Sequence, residues 1–167
     1  MMDYDEAASY WEKHDAAAKK ADRGTVLTAA EKFILAHNTC ALATGAGSGV
    51  RCTPLEYTYR AGRFWIFSEG GLKFRFLKQN KNVCLAICDS YSGFGGLGGL
   101  QVQGTAELVE PWSAEYFDLL RAKKLPEEAL RRLDHPMYLI RITPVSADLL
   151  SSDFKKLGFD PRQHLTW

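Results

Sequence analysis

Lys73 follows a pair of glycines in the stretch Glu69-Gly70-Gly71-Leu72-Lys73-Phe74-Arg75-Phe76-Leu77. If a helix starts there, glycine lets the first backbone N–H groups approach a ligand, and those groups with the helix dipole favour an anion such as phosphate. A lysine in the first turn is mildly unfavourable against that dipole, and an anion lying between them removes the penalty. The same residues equally fit a solvated lysine on a short helix. Upstream, Val50-Arg51-Cys52-Thr53-Pro54-Leu55-Glu56-Tyr57 has the make-up of a strand, whose alternation sends Arg51 and Thr53 to one face. The strand Phe64 to Phe67, followed by Ser68, leads directly into the glycine pair.

Other candidate motifs fail on context. Gly93-Phe94-Gly95-Gly96-Leu97-Gly98 matches the dinucleotide pattern G-x-G-x-x-G, which works only between a strand and a helix. Here Leu100-Gln101-Val102-Gln103-Gly104-Thr105 follows, a strand pattern, so a mobile or closely packed loop is expected. Cys84 and Cys88 on one strand lie about 13 Å apart. Two thiolates bound to one zinc each sit about 2.3 Å from it, so these two are expected to be small buried hydrophobes. His14, His37, His135 and His164 are scattered, with no pair at ligand spacing on a helix.

The elements that position these residues follow from periodicity and punctuation. Residues 3 to 20 have helical spacing, ended by Asp22-Arg23-Gly24, and a second helix is expected from Thr28, with Glu31 completing a capping box, to about Asn38. Strands are expected over Thr39 to Thr44, Val50 to Tyr59, Phe64 to Phe67, Val83 to Cys88, Leu100 to Val109 and Met137 to Ile142, with extended chain possible to Leu150. A short helix spans about Leu72 to Asn80, and Ser113 and Pro126 begin two more. Six strands with too few helices for parallel crossovers predict a mainly β chain with peripheral helices, a six-stranded antiparallel split β-barrel. Residues 1 to 167 form one domain in this reading, with N-terminal helices to residue 38. A tail over 151–167, holding Phe154, Phe159 and Trp167, is expected to dock on the barrel or a partner subunit.

The chain has 167 residues, 46% hydrophobic and 25% charged, the make-up of a globular protein. A net charge of +1 gives no electrostatic footing for nucleic-acid binding. No run approaches the roughly 18 apolar residues of a membrane span. The acidic start Met1-Met2-Asp3-Tyr4-Asp5-Glu6 is unlike a secretory signal, so a cytoplasmic protein with reduced Cys40, Cys52, Cys84 and Cys88 is expected. Four tryptophans and seven tyrosines suit either a dimer interface or the core.

In order and spacing, several pieces together resemble the pyridoxamine 5'-phosphate oxidase-like, FMN-binding split β-barrel proteins. They are Thr39 to Thr44, Thr53-Pro54-Leu55, Phe67-Ser68, Gly70 to Lys73, Asn80 to Val83 and Gln103 to Leu108. The likeness runs from Asn38 to Val109 and more weakly to Leu150, nearest the subgroup of nitroimidazole-resistance reductases. It implies a homodimer with FMN in clefts between the subunits, acting as an oxidoreductase on a small-molecule substrate. Thr53, Pro54, Leu55 and Glu56 would run beside the flavin ring. Phe67 and Ser68 would lie near the ribityl chain and phosphate, with Gly71, Leu72 and Lys73 at the phosphate. The oxidase itself has basic residues where this chain has Thr53 and Leu72, and Arg51 is expected to replace the missing charge.

The oxidase's C-terminal arginine and histidine cluster is not recognisable around Arg162-Gln163-His164, so oxidation of pyridoxamine phosphate itself is not expected. The flavin carries the redox chemistry, and no acid–base side chain is assigned. Two alternatives stand beside this. One is a flavin- or haem-binding protein without turnover, with His37, His135 or His164 as an axial ligand. The other is a structural dimer without cofactor.

Overall fold

The computed structural model describes residues 3–93 and 95–167, so Phe94 of the glycine-rich motif lies outside it. Helix α1 (Tyr4–Ala17) is capped by Asp3 and buries none of its residues; Trp11 stacks under the Arg162 guanidinium at 4.7 Å. Helix α2 (Arg23–Ala36) begins five residues before the expected start at Thr28. Asp22 caps it instead, accepting from the Thr25 N–H at 3.0 Å and the Thr25 hydroxyl at 2.6 Å. The Thr28 hydroxyl donates back to Gly24 O within the helix. Asp-Arg-Gly therefore opens a helix rather than closing one, because burial of Val26, Ala30 and Ile34 sets the helix in place.

A run of strands and short helices follows. Strand β1 (Thr39–Ala46) pairs antiparallel with β2 (Gly49–Glu56), after which Tyr57 breaks the strand and β3 (Thr58–Arg60) turns into β4 (Arg63–Ser68). Helix α3 (Lys73–Gln79) leads to β5 (Asn82–Cys88) and β6 (Gly98–Val109). Helices α4 (Ala114–Lys123), capped by Ser113, and α5 (Glu127–Arg131), after Pro126, precede the long β7 (Tyr138–Ser151). A turn of helix, α6 (Asp153–Lys156), and β8 (Arg162–Thr166) end the chain.

The eight strands among the described residues belong to one antiparallel sheet in the order β2-β1-β5-β6-β7-β4-β3, with β8 added beside β7. The architecture is the expected curled antiparallel one, with two strands more than the six expected. One arises because β2 and β3 are split at Tyr57; the other is the tail strand β8. The split is what curls the sheet, since β2 and β3 are consecutive in sequence but occupy its two ends. Tyr57 holds that corner: its N–H donates to Asn38 O at 2.7 Å and its hydroxyl to Ile34 O at 2.6 Å.

The barrel interior is filled by Leu42, Phe64, Ile66, Leu85, Ile87, Leu100, Val102, Ile140 and Ile142. On the outer side of β4 and β7, Trp65, Val109 and Leu139 meet Tyr116, Leu119 and Leu120 of α4. Both faces of β4 are thus covered, which accounts for the unbroken apolar run Phe64-Trp65-Ile66-Phe67. The tail is tied in by the buried Gln163, which accepts from the Ala21 N–H at 2.9 Å and donates to Asp160 O. No helix among the described residues is long and apolar enough to cross a membrane.

Cys40 lies inside β1 with 5% of its surface exposed, whereas Cys52 is exposed; of the two cysteines expected to be buried, Cys84 is half-buried and Cys88, at the end of β5, is exposed. Burial, with a smaller contribution from Cys52, pushes the Cys40 thiol up to about 12. An unfolded thiol ionises near about 8.5. The native state therefore holds a proton that the unfolded chain loses, and Cys40 erodes stability as pH rises from that value towards 12. Iodoacetamide at pH 8 is expected to modify Cys52 and Cys88 first and to reach Cys40 only in urea, a sequence readable by mass spectrometry. Equal labelling of Cys40 in the native protein would contradict its burial.

Candidate functional site: a cationic corner between β2 and α3

Between β4 and α3 the chain turns through Gly70 (φ 136°) and Gly71 (φ 107°), a backbone that L side chains rarely adopt. The bend is held by Ser68, whose hydroxyl donates to Gly70 O at 3.2 Å and accepts from the Gly70 N–H at 3.3 Å. Lys73, the first residue of α3, is carried inward by this geometry and only 4% of it is exposed. Its ammonium donates to Gly70 O and lies 5.0 Å from the centre of the Phe74 ring.

Helix α3 packs over the β1–β2 hairpin. Asn80 donates to Gly45 O at 2.9 Å, and the Phe76 ring lies so close to Gly49 that a Cβ there would approach it to 2.7 Å. This packing brings Lys73 beside β2. Arg51, Thr53 and Leu55 pair with Thr44, Leu42 and Cys40 of β1, the residues whose side chains point into the fold. Arg51 is near enough for its charge to act on Lys73. Burial first, and Arg51 second, hold the Lys73 ammonium below the ordinary lysine range.

Two cations therefore share a corner. Among the described residues no carboxylate stands within ion-pair distance of either. On the same inward-facing side of the β1–β2 ladder, the Thr44 and Thr53 hydroxyls are buried without a hydrogen-bond partner among the described residues. Buried polar groups are nearly always satisfied, so two orphan hydroxyls on the strands that carry the cationic corner mark a place built for something else. An anion with several acceptor oxygens fits that donor set. Lys73 gives one N–H to Gly70 O and has two more for such an anion.

The other residues singled out in sequence are placed as follows. Leu55 is half-buried against the core, and Pro54 is exposed on β2, the strand that ends the sheet path with one edge free of any strand. Leu72, 48% exposed, sits at the start of α3 with no side-chain cap bond. The first turn of α3 is partly self-satisfied, since the Phe74 and Arg75 N–H groups donate to Gly71 O and Leu72 O. Two side chains are not brought to the corner. Glu56 points outward to Lys123 at 3.0 Å, and Phe67 packs edge-on against Tyr116, 5.4 Å between ring centres, so both offer only backbone there.

Two neighbours escaped notice in the sequence. Thr44 was marked only by its place in the alternation Cys40, Leu42, Thr44, where a third hydrophobe would be expected. The Tyr138 ring packs tilted against Phe74, 4.9 Å between ring centres, beside Gly70, and no local signal in the sequence points to it.

The family model for pyridoxamine 5'-phosphate oxidase matches residues 26–150. The chain belongs to this family. The match spans α2 through nearly all of β7 and so takes in the whole cationic corner. No curated protein sequence matches the chain. Among solved structures, an FAD-binding protein from Mesorhizobium loti has a TM-score of 0.60 at 19% identity, covering 72% of this chain and 89% of its own. HutZ, the haem storage protein of Vibrio cholerae, has a TM-score of 0.58 at 17% identity, covering 70% and 88%. A putative pyridoxamine 5'-phosphate oxidase from Listeria innocua has a TM-score of 0.56 at 19% identity, covering 77% and 97%. At these identities the likeness is one of fold.

Proposed function

We propose that this chain is an FMN-binding oxidoreductase that acts on a small molecule in a cleft completed by a second copy of itself. The observation that carries the reading is the pair Arg51 and Lys73 without a carboxylate, on strands whose Thr44 and Thr53 hydroxyls are buried and unpartnered. A flavin, when bound, supplies reversible hydride and electron transfer. The chain's own part is binding and orientation. Arg51 and Lys73 neutralise the phosphate, and the threonine hydroxyls donate to it or to the ribityl chain. The free edge of β2, with Thr53, Pro54, Leu55 and Glu56, presents backbone groups to the ring. A strand edge left open in this way also requires a cover, which a second copy provides in this reading.

Within the family, the tail argues for the nitroimidazole-reductase-like side rather than for pyridoxamine phosphate oxidation. Arg162 of the tail stacks on Trp11 and lies 3.6 Å from Asp15, engaged within its own chain. The test is the absorption spectrum of the protein as purified and after addition of FMN. A flavin band that remains with the protein through gel filtration is expected. Protein that stays colourless and leaves added FMN fluorescence unquenched overturns the proposal.

One observation favours a second reading, haem binding. His164 Nδ1 is oriented by Asp148 at 3.0 Å, the carboxylate–imidazole arrangement that leaves Nε2 to a metal. His37 is engaged at both ring nitrogens, by Phe33 O at 2.8 Å and Asp89 at 2.9 Å. A Soret band on haem addition that disappears in His164→Ala supports this reading, and its absence removes it.

A further inference from the structure

A row of aromatic rings leads outward from the cationic corner. Tyr138, the first residue of β7, stands opposite Ser68 of β4, so its side chain lies on the face that carries the Ser68 hydroxyl and the glycine bend. A Cβ on Gly70 would sit 3.9 Å from the Tyr138 ring. The steps along the row are short. The Lys73 ammonium is 5.0 Å from the centre of the Phe74 ring, and Phe74 is 4.9 Å from Tyr138. Tyr138 is 6.1 Å from His135, whose ring lies at only 22° to it. Phe74 packs against the core, but Tyr138 keeps 36% of its surface in solvent and His135 is exposed.

With the flavin ring along β2 and the phosphate at Lys73, the row begins where FMN ends. FMN has no group to place on it. A flavin that continues through a second phosphate into adenosine does, because a purine presents a π-face that stacks on aromatic side chains. The added phosphate needs counter-charge of its own. Lys78 lies four residues beyond Phe74, on the same face of α3. It makes no ion pair among the described residues. Lys73, Lys78 and the two exposed rings thus offer partners for the first phosphate, the second phosphate and the purine.

We infer that the flavin held at this corner is the dinucleotide FAD, its FMN half on Arg51 and Lys73 and its adenine on the Tyr138 and His135 rings. The inference rests on the flavin reading above and extends the ligand beyond its first phosphate. Calorimetric titration of the flavin-free, full-length chain with FAD and with FMN tests it. FAD is expected to bind about tenfold tighter, the worth of one base stacked on an aromatic side chain. His135→Ala, at an exposed position, is expected to weaken FAD binding and leave FMN affinity unchanged. Tyr138→Leu, which keeps an apolar side chain beside the bend, is expected to erase the preference for FAD. Loss of the preference in either variant supports the inference. Three results overturn it: FMN binding with no advantage for FAD, a preference that survives both substitutions, or ADP binding to chain already saturated with FMN, which puts a separate nucleotide on the rings. In all three FMN still binds and the flavin reading stands, whereas binding of neither flavin overturns both.

Discussion

Lys73→Ala is expected to weaken FMN binding by about ten- to a hundredfold, the worth of a hydrogen bond to a charged group, about 1.5–3 kcal/mol. The unliganded protein is expected to lose no stability and to gain some. In that state the ammonium is nearly buried, faces only a carbonyl and Phe74, and is repelled by Arg51. Opposite signs for binding and stability are the mark of a group kept for a ligand rather than for the fold. The pH dependence follows from the same geometry. A lysine held below its ordinary range, about 10.4, loses its charge early as pH rises, so FMN affinity is expected to fall before that value is reached. Fluorescence titration across pH and thermal melts of both proteins measure all three effects. Equal FMN affinity in the two proteins would remove Lys73 from the site.

Phe64→Ala is expected to be the most damaging single substitution in the barrel, at about 3–5 kcal/mol. That is a large share of a typical total of about 5–15 kcal/mol. Phe64 has no exposed surface, and its ring meets Tyr57 at 5.3 Å nearly edge-on and Tyr59 at 4.9 Å. On the strand ladder it stands between Tyr59 and Ile142. Removing the ring empties the corner where the sheet curls, and the Tyr57 contact that directs β2 away from β3 goes with it. Urea unfolding followed by tryptophan fluorescence reads the loss. A cost under about 1 kcal/mol, the size expected away from packed or bonded features, would show that the curl is secured elsewhere.

Much of this architecture was legible before folding. β1, β4, β5 and β6 follow from short apolar runs between turn residues, and Ser113 and Pro126 mark the starts of α4 and α5. The errors share one cause, that a local pattern has two meanings until tertiary contacts choose. Tyr57 suits a strand as well as its neighbours do, and only its bonds to Asn38 and Ile34 reveal a corner. Asp22-Arg23-Gly24 is able to end one helix or begin the next, and burial of Val26 settles it. β8 is five residues long and takes its identity from pairing with β7. At the site, alternation placed Arg51 and Thr53 on one face. Only the fold turns the Phe67 ring towards Tyr116, or leaves Thr44 Oγ1 without a partner.

The strand order also governs how the chain is made. β4 finds its outer neighbour only in β7, with Phe64 facing Ile142, so synthesis has passed residue 142 before that edge is paired. A nascent polypeptide halted earlier carries the β3–β4 hairpin with its sticky apolar flank bare, a template for stray pairing. Ribosomal pausing upstream of β7 therefore prolongs the time for which that edge of β4 stays open.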